Sequence, residues 1–154
     1  MKKAKQKNLL DYILLGSSAL FGILTLVIMV APGIIIDLGL VTTKYNVYEL
    51  LNYADETRVG LIFALIFSII LLVATLLLLL LKLLNKKFKL ELIVALCASA
   101  LALVAGILFF CTKPLIGEAN SSVVSLGIGA ILAGIFALIS AITLGFYAVK
   151  KLIK

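Results

Sequence analysis

Charged residues divide the chain into long apolar stretches. Tyr12–Ile36 runs 25 residues without a charge, Val59–Leu81 runs 23, Leu92–Thr112 runs 21 and Ala119–Val149 runs 31. About 20 apolar residues cross the hydrocarbon core of a bilayer as a helix, so each stretch is long enough to span. The pattern predicts an all-α polytopic membrane protein, an antiparallel four-transmembrane-helix bundle with a short extracytoplasmic first loop. Residues 1–154 form one membrane domain on this reading, with spans at 12–31, 59–82, 91–112 and 122–149. An outer loop at 32–58, an inner loop at 83–90 and a second outer loop at 113–121 join them. Pro32 and Gly33 interrupt the first stretch near its outer end, where a helix stop is tolerated. In the first outer loop, Leu40 to Tyr48 carries the β-branched and aromatic residues of a strand. Val47, Leu50, Leu51 and Ala54 equally suit a turn or two of interfacial helix, and periodicity does not decide between them.

The last stretch carries a second periodicity. Gly127, Ala130, Gly134, Ala137, Ala141, Gly145 and Ala148 are spaced 3, 4, 3, 4, 4 and 3 apart. At about 100° per residue they share an arc of roughly 80°. Ile128, Leu132, Ile135, Phe136, Ile139 and Phe146 lie opposite. Lipid supplies no hydrophobic drive between helices, so close backbone approach through small residues is what holds them together. The third stretch offers a matching set in Ala95, Ala98, Ala102, Ala105 and Gly106. With only a short turn between them, the third and fourth helices are expected to pair through these two faces. An interface between copies of the chain is the other use such a face could have. The leucine run Leu76–Leu81 suits a lipid-facing end of the second helix.

Composition then fixes what the pattern means. The chain is 64% hydrophobic and 14% charged, with a mean hydropathy of +1.30, against about 45–50% and 25% in soluble domains. Soluble enzyme folds, nucleic-acid-binding domains and disordered tails are excluded. The net charge of +7 describes orientation, not a polyanionic ligand. Eleven of the 14 cations (Lys2, Lys3, Lys5, Lys7, Lys82, Lys86, Lys87, Lys89, Lys150, Lys151 and Lys154) fall before the first stretch, between the second and third, or after the fourth. Cytoplasmic segments are enriched in Lys and Arg, which places both termini and the middle loop inside the cell membrane. With Asp11 and Glu91 the inner face totals +9. Three cations and five carboxylates leave the outer face at −2. The inner lysines are expected to meet anionic lipid. A signal peptide ending at Ala31 is the competing reading of the N-terminus, but its apolar core would be too long and Met29 is too large for the cleavage motif.

Candidate chemistry is sparse. None of the four stretches contains Asp, Glu, Lys, Arg or His, and the first three contain no Asn or Gln. Coupled carriers and proton relays need such groups in lipid, and the carboxylate that a small multidrug-type exchanger requires is missing. The hydroxyls, Ser17, Ser18, Thr25, Ser68, Thr75, Ser99, Ser125, Ser140 and Thr143, have no neighbouring base that would make a nucleophile. Cys97 and Cys111 lie on one predicted helix about 21 Å apart in rise, too far for a disulfide, and with no His they offer no metal site. Asn120-Ser121-Ser122 forms a glycosylation sequon on the outer side. All five tyrosines fall at predicted interfaces, where the ring and hydroxyl suit the headgroup region. Tyr45, Tyr48 and Tyr53 are candidate outer-loop partner contacts.

Four helices, internal termini, a first outer loop longer than the second, Arg58 at the entry to the second helix and the stretch Val104–Phe109 together resemble the claudin-like tetraspan proteins. The tryptophan motif and cysteine pair that define the first outer loop of that family are absent here. The resemblance covers topology and carries over no function and no site residue. The expectation is a non-enzymatic integral membrane protein acting through protein or lipid contacts, with no cofactor and no metal. Its partners would be the bilayer, a second copy or another membrane protein. An oligomeric channel or holin-like pore, and an accessory subunit of a transporter, are the alternative readings.

Overall fold

A computed structural model of the chain describes residues 2–84 and 89–153, with the side chains of residues 2–8 and 55 left out. Of the basic residues counted above, Lys86, Lys87 and Lys154 lie outside the described residues, as do the side chains of Lys2, Lys3, Lys5 and Lys7. The fold is mostly helical. Four helices are long and apolar enough to cross a membrane. They are α1 (Lys2–Ile28), α2 (Val59–Leu83), α3 (Glu91–Phe110) and, after the short α4 (Thr112–Leu115), α5 (Ile128–Leu152). Helix α5 packs along α3 and α1, while α2 packs along α3 and α1.

The first helix differs from its expected span at both ends. Helix α1 starts ten residues before Tyr12, so the basic N-terminal stretch continues the helix instead of preceding it. It stops at Ile28, and Val30 and Ala31 donate to Val27 and Ile28 at 3.3 and 2.9 Å. Pro32 has no N–H with which to continue. The chain is also not all-α. Strands β1 (Pro32–Asp37), β2 (Thr42–Asn46) and β3 (Val124–Leu126) make a three-stranded antiparallel sheet in the order β2-β1-β3. Strand β3 lies inside the 122–149 span, while β1 and β2 fall in the outer loop at 32–58, with β1 at the end of the first uncharged stretch. Ile34-Ile35-Ile36 and Val123-Val124 are β-branched runs, stiff at χ1 and well suited to a pleated surface. In the outer loop β2 falls within Leu40–Tyr48, and a kinked 3-10 segment follows at Glu49–Asp55.

Three apolar clusters lie along the fold. One, around Leu15, Leu71, Leu78, Ala98 and Leu144, occupies the half of the helices nearest the termini. A second, around Met29, Ala64, Ala105, Phe109 and Ala133, fills the other half. The third, Ile34, Leu50, Leu61, Ile116 and Val124, joins the sheet to the start of α2 and the end of α4. The perimeter remains aliphatic: Ile13, Leu20, Ile66, Ile70, Leu77 and Leu96 are each exposed by two-fifths or more.

Candidate functional site

Small residues bring α3 and α5 together. Ala130, Gly134, Ala137, Ala141 and Ala148 of α5 are buried, as are Ala95, Ala98, Ala102, Ala105 and Gly106 of α3. A Cβ on Gly106 would lie 2.8 Å from the Leu138 side chain and 3.2 Å from the Gly134 carbonyl oxygen. One on Gly134 would lie 2.9 Å from the Phe110 ring, and one on Gly145 would meet Ser99 Oγ at 3.1 Å. Gly127 caps the start of α5 instead of lying within it, and its contact is with β1. The seam therefore lies within one protomer. Gly134→Leu should cost about 2 kcal/mol, within the range for overpacked cores, seen as a lower unfolding midpoint in detergent. A stable protomer with a changed oligomeric state would instead mean that the face serves an interface between copies.

Hydroxyls tie the helices at mid-depth. Ser18 Oγ donates to the Ser140 carbonyl at 3.1 Å, and Ser140 Oγ donates back to the Ser18 carbonyl at 2.7 Å. This reciprocal pair joins α1 to α5. Ser99 Oγ donates to the Ala141 carbonyl at 2.8 Å, joining α3 to α5. Ser68, Thr25, Thr75 and Thr143 donate to carbonyls one turn back on their own helices, the common behaviour of hydroxyls inside helices.

Among the described residues, a dense polar grouping lies in the first half of α1 and at the end of α5. Asp11, Lys82, Glu91, Lys150 and Lys151 all belong to the four long helices, each close to the end of an uncharged stretch. Asp11 on α1 is 1% exposed and accepts from Lys82 of α2 and Lys150 of α5. Glu91 opens α3 and accepts from Lys151 at 2.9 Å and from the Tyr147 hydroxyl. Lys82 also reaches the Tyr147 hydroxyl at 3.4 Å and lies 5.0 Å from that ring's centre, a cation–π approach. Tyr12 Oη donates to the Lys82 carbonyl at 3.2 Å. Tyr147, near the end of α5, is wholly buried in this cluster, so its ring faces protein. The missed signal was two acidic residues, Asp11 and Glu91, standing among lysines on the basic side.

At the opposite end the outer tyrosines do different things. Tyr48 is exposed and its hydroxyl donates to the Leu26 carbonyl at 2.8 Å. Tyr45 and Tyr53 meet edge to face, 5.5 Å between ring centres. With Lys44, Glu49 and Asn52 they line a recess of about 530 Å³. Burial, the Glu118 carboxylate and Tyr45 push the Tyr53 phenol above its ordinary pKa, against the Arg58 guanidinium, so it stays a neutral donor. Arg58 pairs with Glu56 at 2.9 Å and donates to the Tyr53 carbonyl at 3.3 Å. Ala54 takes a left-handed φ of 57°, kinking the chain inside the 3-10 segment at a cost of about 1–2 kcal/mol. Cys97 and Cys111 are free thiols.

These groupings bind, cap and tether; among the described residues no hydroxyl or thiol carries a hydrogen-bonded carboxylate or imidazole, apart from Tyr147. No protein-family model, curated protein or solved structure matches this chain.

Proposed function

We propose that this chain is a non-enzymatic integral membrane protein that works through contacts with other proteins or with lipid. Its four long helices span the plasma membrane as an antiparallel bundle, with both termini cytoplasmic, as the cation distribution favours. The sheet and the 3-10 segment then form a small outer cap, and the charge cluster lies at the inner boundary, where its lysines can also meet anionic headgroups.

The observation that carries this reading is where the mid-depth hydroxyls are used. A pore or a carrier needs polar groups free to face a path, and Ser18, Ser99 and Ser140 are bonded across helix pairs instead. The aliphatic perimeter and the glycine–alanine seam support a packed body that presents its surface to partners.

Purification in a mild detergent, followed by mass measurement of the complex and its co-purifying components, tests the proposal. The expected result is a chain that retains a membrane-protein partner, a second copy or acidic lipid. Liposomes loaded with ion-sensitive dye should show no flux over a range of voltage and pH. Flux above empty liposomes would replace this reading with the pore.

A further inference from the structure

The turn between β1 and β2 is apolar and exposed. Leu38 is 65% exposed, Leu40 fully exposed and Val41 60% exposed. Val123, whose carbonyl accepts from Asp37 N–H at 2.8 Å, adds a fourth exposed aliphatic side chain beside them. Gly39 has a φ of +85°, which suits the first central position of a two-residue hairpin turn. Leu38 N–H donates to the Val41 carbonyl at 3.0 Å, and Gly39 N–H donates to Asp37 Oδ1 at 2.9 Å. The turn thus satisfies two of its own donors, which lowers the cost of leaving water.

The course of β1 sets where this tip lies. The strand leaves α1 beside the start of α5. Ile34 and Ile36, two apart and so on one face, pack on the cluster containing Leu61 at the start of α2 and Ile116 after α4. The strand therefore runs across the helix ends instead of away from them. Leu38 lies two residues beyond Ile36, the last residue of the strand packed on that cluster, and is itself exposed, so the turn overhangs the cluster that supports the strand. On the reading that these helices span a bilayer, the surface beside that overhang is the lipid headgroup layer.

We infer that the hairpin tip 38–41 is a membrane-surface anchor, with Leu38, Leu40 and Val41 inserted among the lipids of the outer leaflet. Aliphatic side chains with no charge between Asp37 and Lys44 are the chemistry of shallow insertion, and the chain's own helices hold the tip at the bilayer. The anchor fixes the outer cap, with its tyrosine-lined recess, at a set height and tilt over the membrane.

The chain has no tryptophan, so one substitution gives a unique reporter. Leu40→Trp and, separately, Ile70→Trp on the exposed face of α2 would be reconstituted in phosphatidylcholine vesicles. The lipids would be brominated either high on the acyl chain or near its end. The expected result is blue-shifted emission from Leu40→Trp, strongly quenched by bromine high on the chain and little affected by aqueous iodide. Red emission quenched by iodide, with Ile70→Trp quenched by the deep bromines, would overturn the anchor and leave the spanning helices standing. Emission reached by neither quencher would mean that a second copy covers the tip, which also overturns it. Failure of the deep bromines to quench Ile70→Trp would remove the spanning reading and the anchor with it.

Discussion

Gly129→Ala should unfold this protein at a lower temperature or denaturant concentration than any other glycine-to-alanine change along α5. A Cβ at Gly129 would press into the Ala31 carbonyl, lying 2.7 Å from the Ala31 carbonyl carbon and 2.8 Å from the Pro32 oxygen. Backbone atoms cannot rotate out of the way as side chains do, so α5 and β1 must separate. Alanine's better helix propensity returns about 1 kcal/mol. Overpacking costs about 1–3 kcal/mol and sometimes more, and a backbone clash belongs at the upper limit, giving an expected net loss of about 2 kcal/mol or more. Gly127→Ala meets the same obstacle, with the Pro32 carbonyl carbon at 2.7 Å, and would break the approach that lets Gly127 N–H donate to the Gly33 carbonyl at 2.8 Å. Gly16→Ala is the control: nothing lies within 4 Å of its Cβ, and the change should stabilise α1 by about 0.5–1 kcal/mol. Circular dichroism during thermal and denaturant unfolding in detergent reads all three. Equal midpoints for Gly129→Ala and the parent chain would show that α5 and β1 are not in contact.

That contact also marks the limit of what hydropathy could read. The four long helices were legible because their length and apolarity are set by the bilayer, and the glycine–alanine periodicity was legible because a close helix pair needs small residues at a helical spacing. Of the sheet only the region of β2 was, because Ile34–Ile36 and Val123–Val124 are as apolar as the helices they adjoin. A scale that counts apolarity cannot tell the last turn of a span from a strand that caps it; only their β-branching distinguished them. Gly127 reads as a member of the helix-packing face, yet its absent side chain, like that of Gly129, makes room for the backbone at 31–33. The charge cluster was hidden for a different reason. Dividing the chain at its charges places Asp11, Lys82, Glu91 and Lys150 at or just beyond the ends of the apolar stretches, and does not show which of them pair once the helices pack. The burial of Tyr147 was hidden in the same way, since its hydroxyl donates to Glu91 on α3.

Removing the Asp11 carboxylate should be the most damaging change of a single charge in the described part of the chain. Asp11 accepts from Lys82 and Lys150 while 1% exposed, and those two side chains are only 14% and 18% exposed. Breaking a buried ion pair from one side costs about 3–5 kcal/mol because the remaining charge loses its partner in a poorly solvated place. Lysine stems near a helix end can bend their ammonium groups towards water, which puts Asp11→Asn near the low end, about 3 kcal/mol. Glu91→Gln should cost less, about 1 kcal/mol, since the amide oxygen can still accept from Tyr147 and hydrogen bonds between neutral groups are worth about that much. Because the pairs around Asp11 are shielded from solvent, salt should weaken them little, so the loss should persist at high ionic strength. The decisive measurement is a double-mutant cycle on unfolding in detergent with Asp11→Asn, Lys82→Met and both together. Removing both partners leaves no stranded charge, so the double variant should be more stable than the sum of the single losses implies, by at least about 1 kcal/mol. Additive losses would mean that Asp11 and Lys82 act independently, and that the ends of α1, α2 and α5 are held by apolar packing alone.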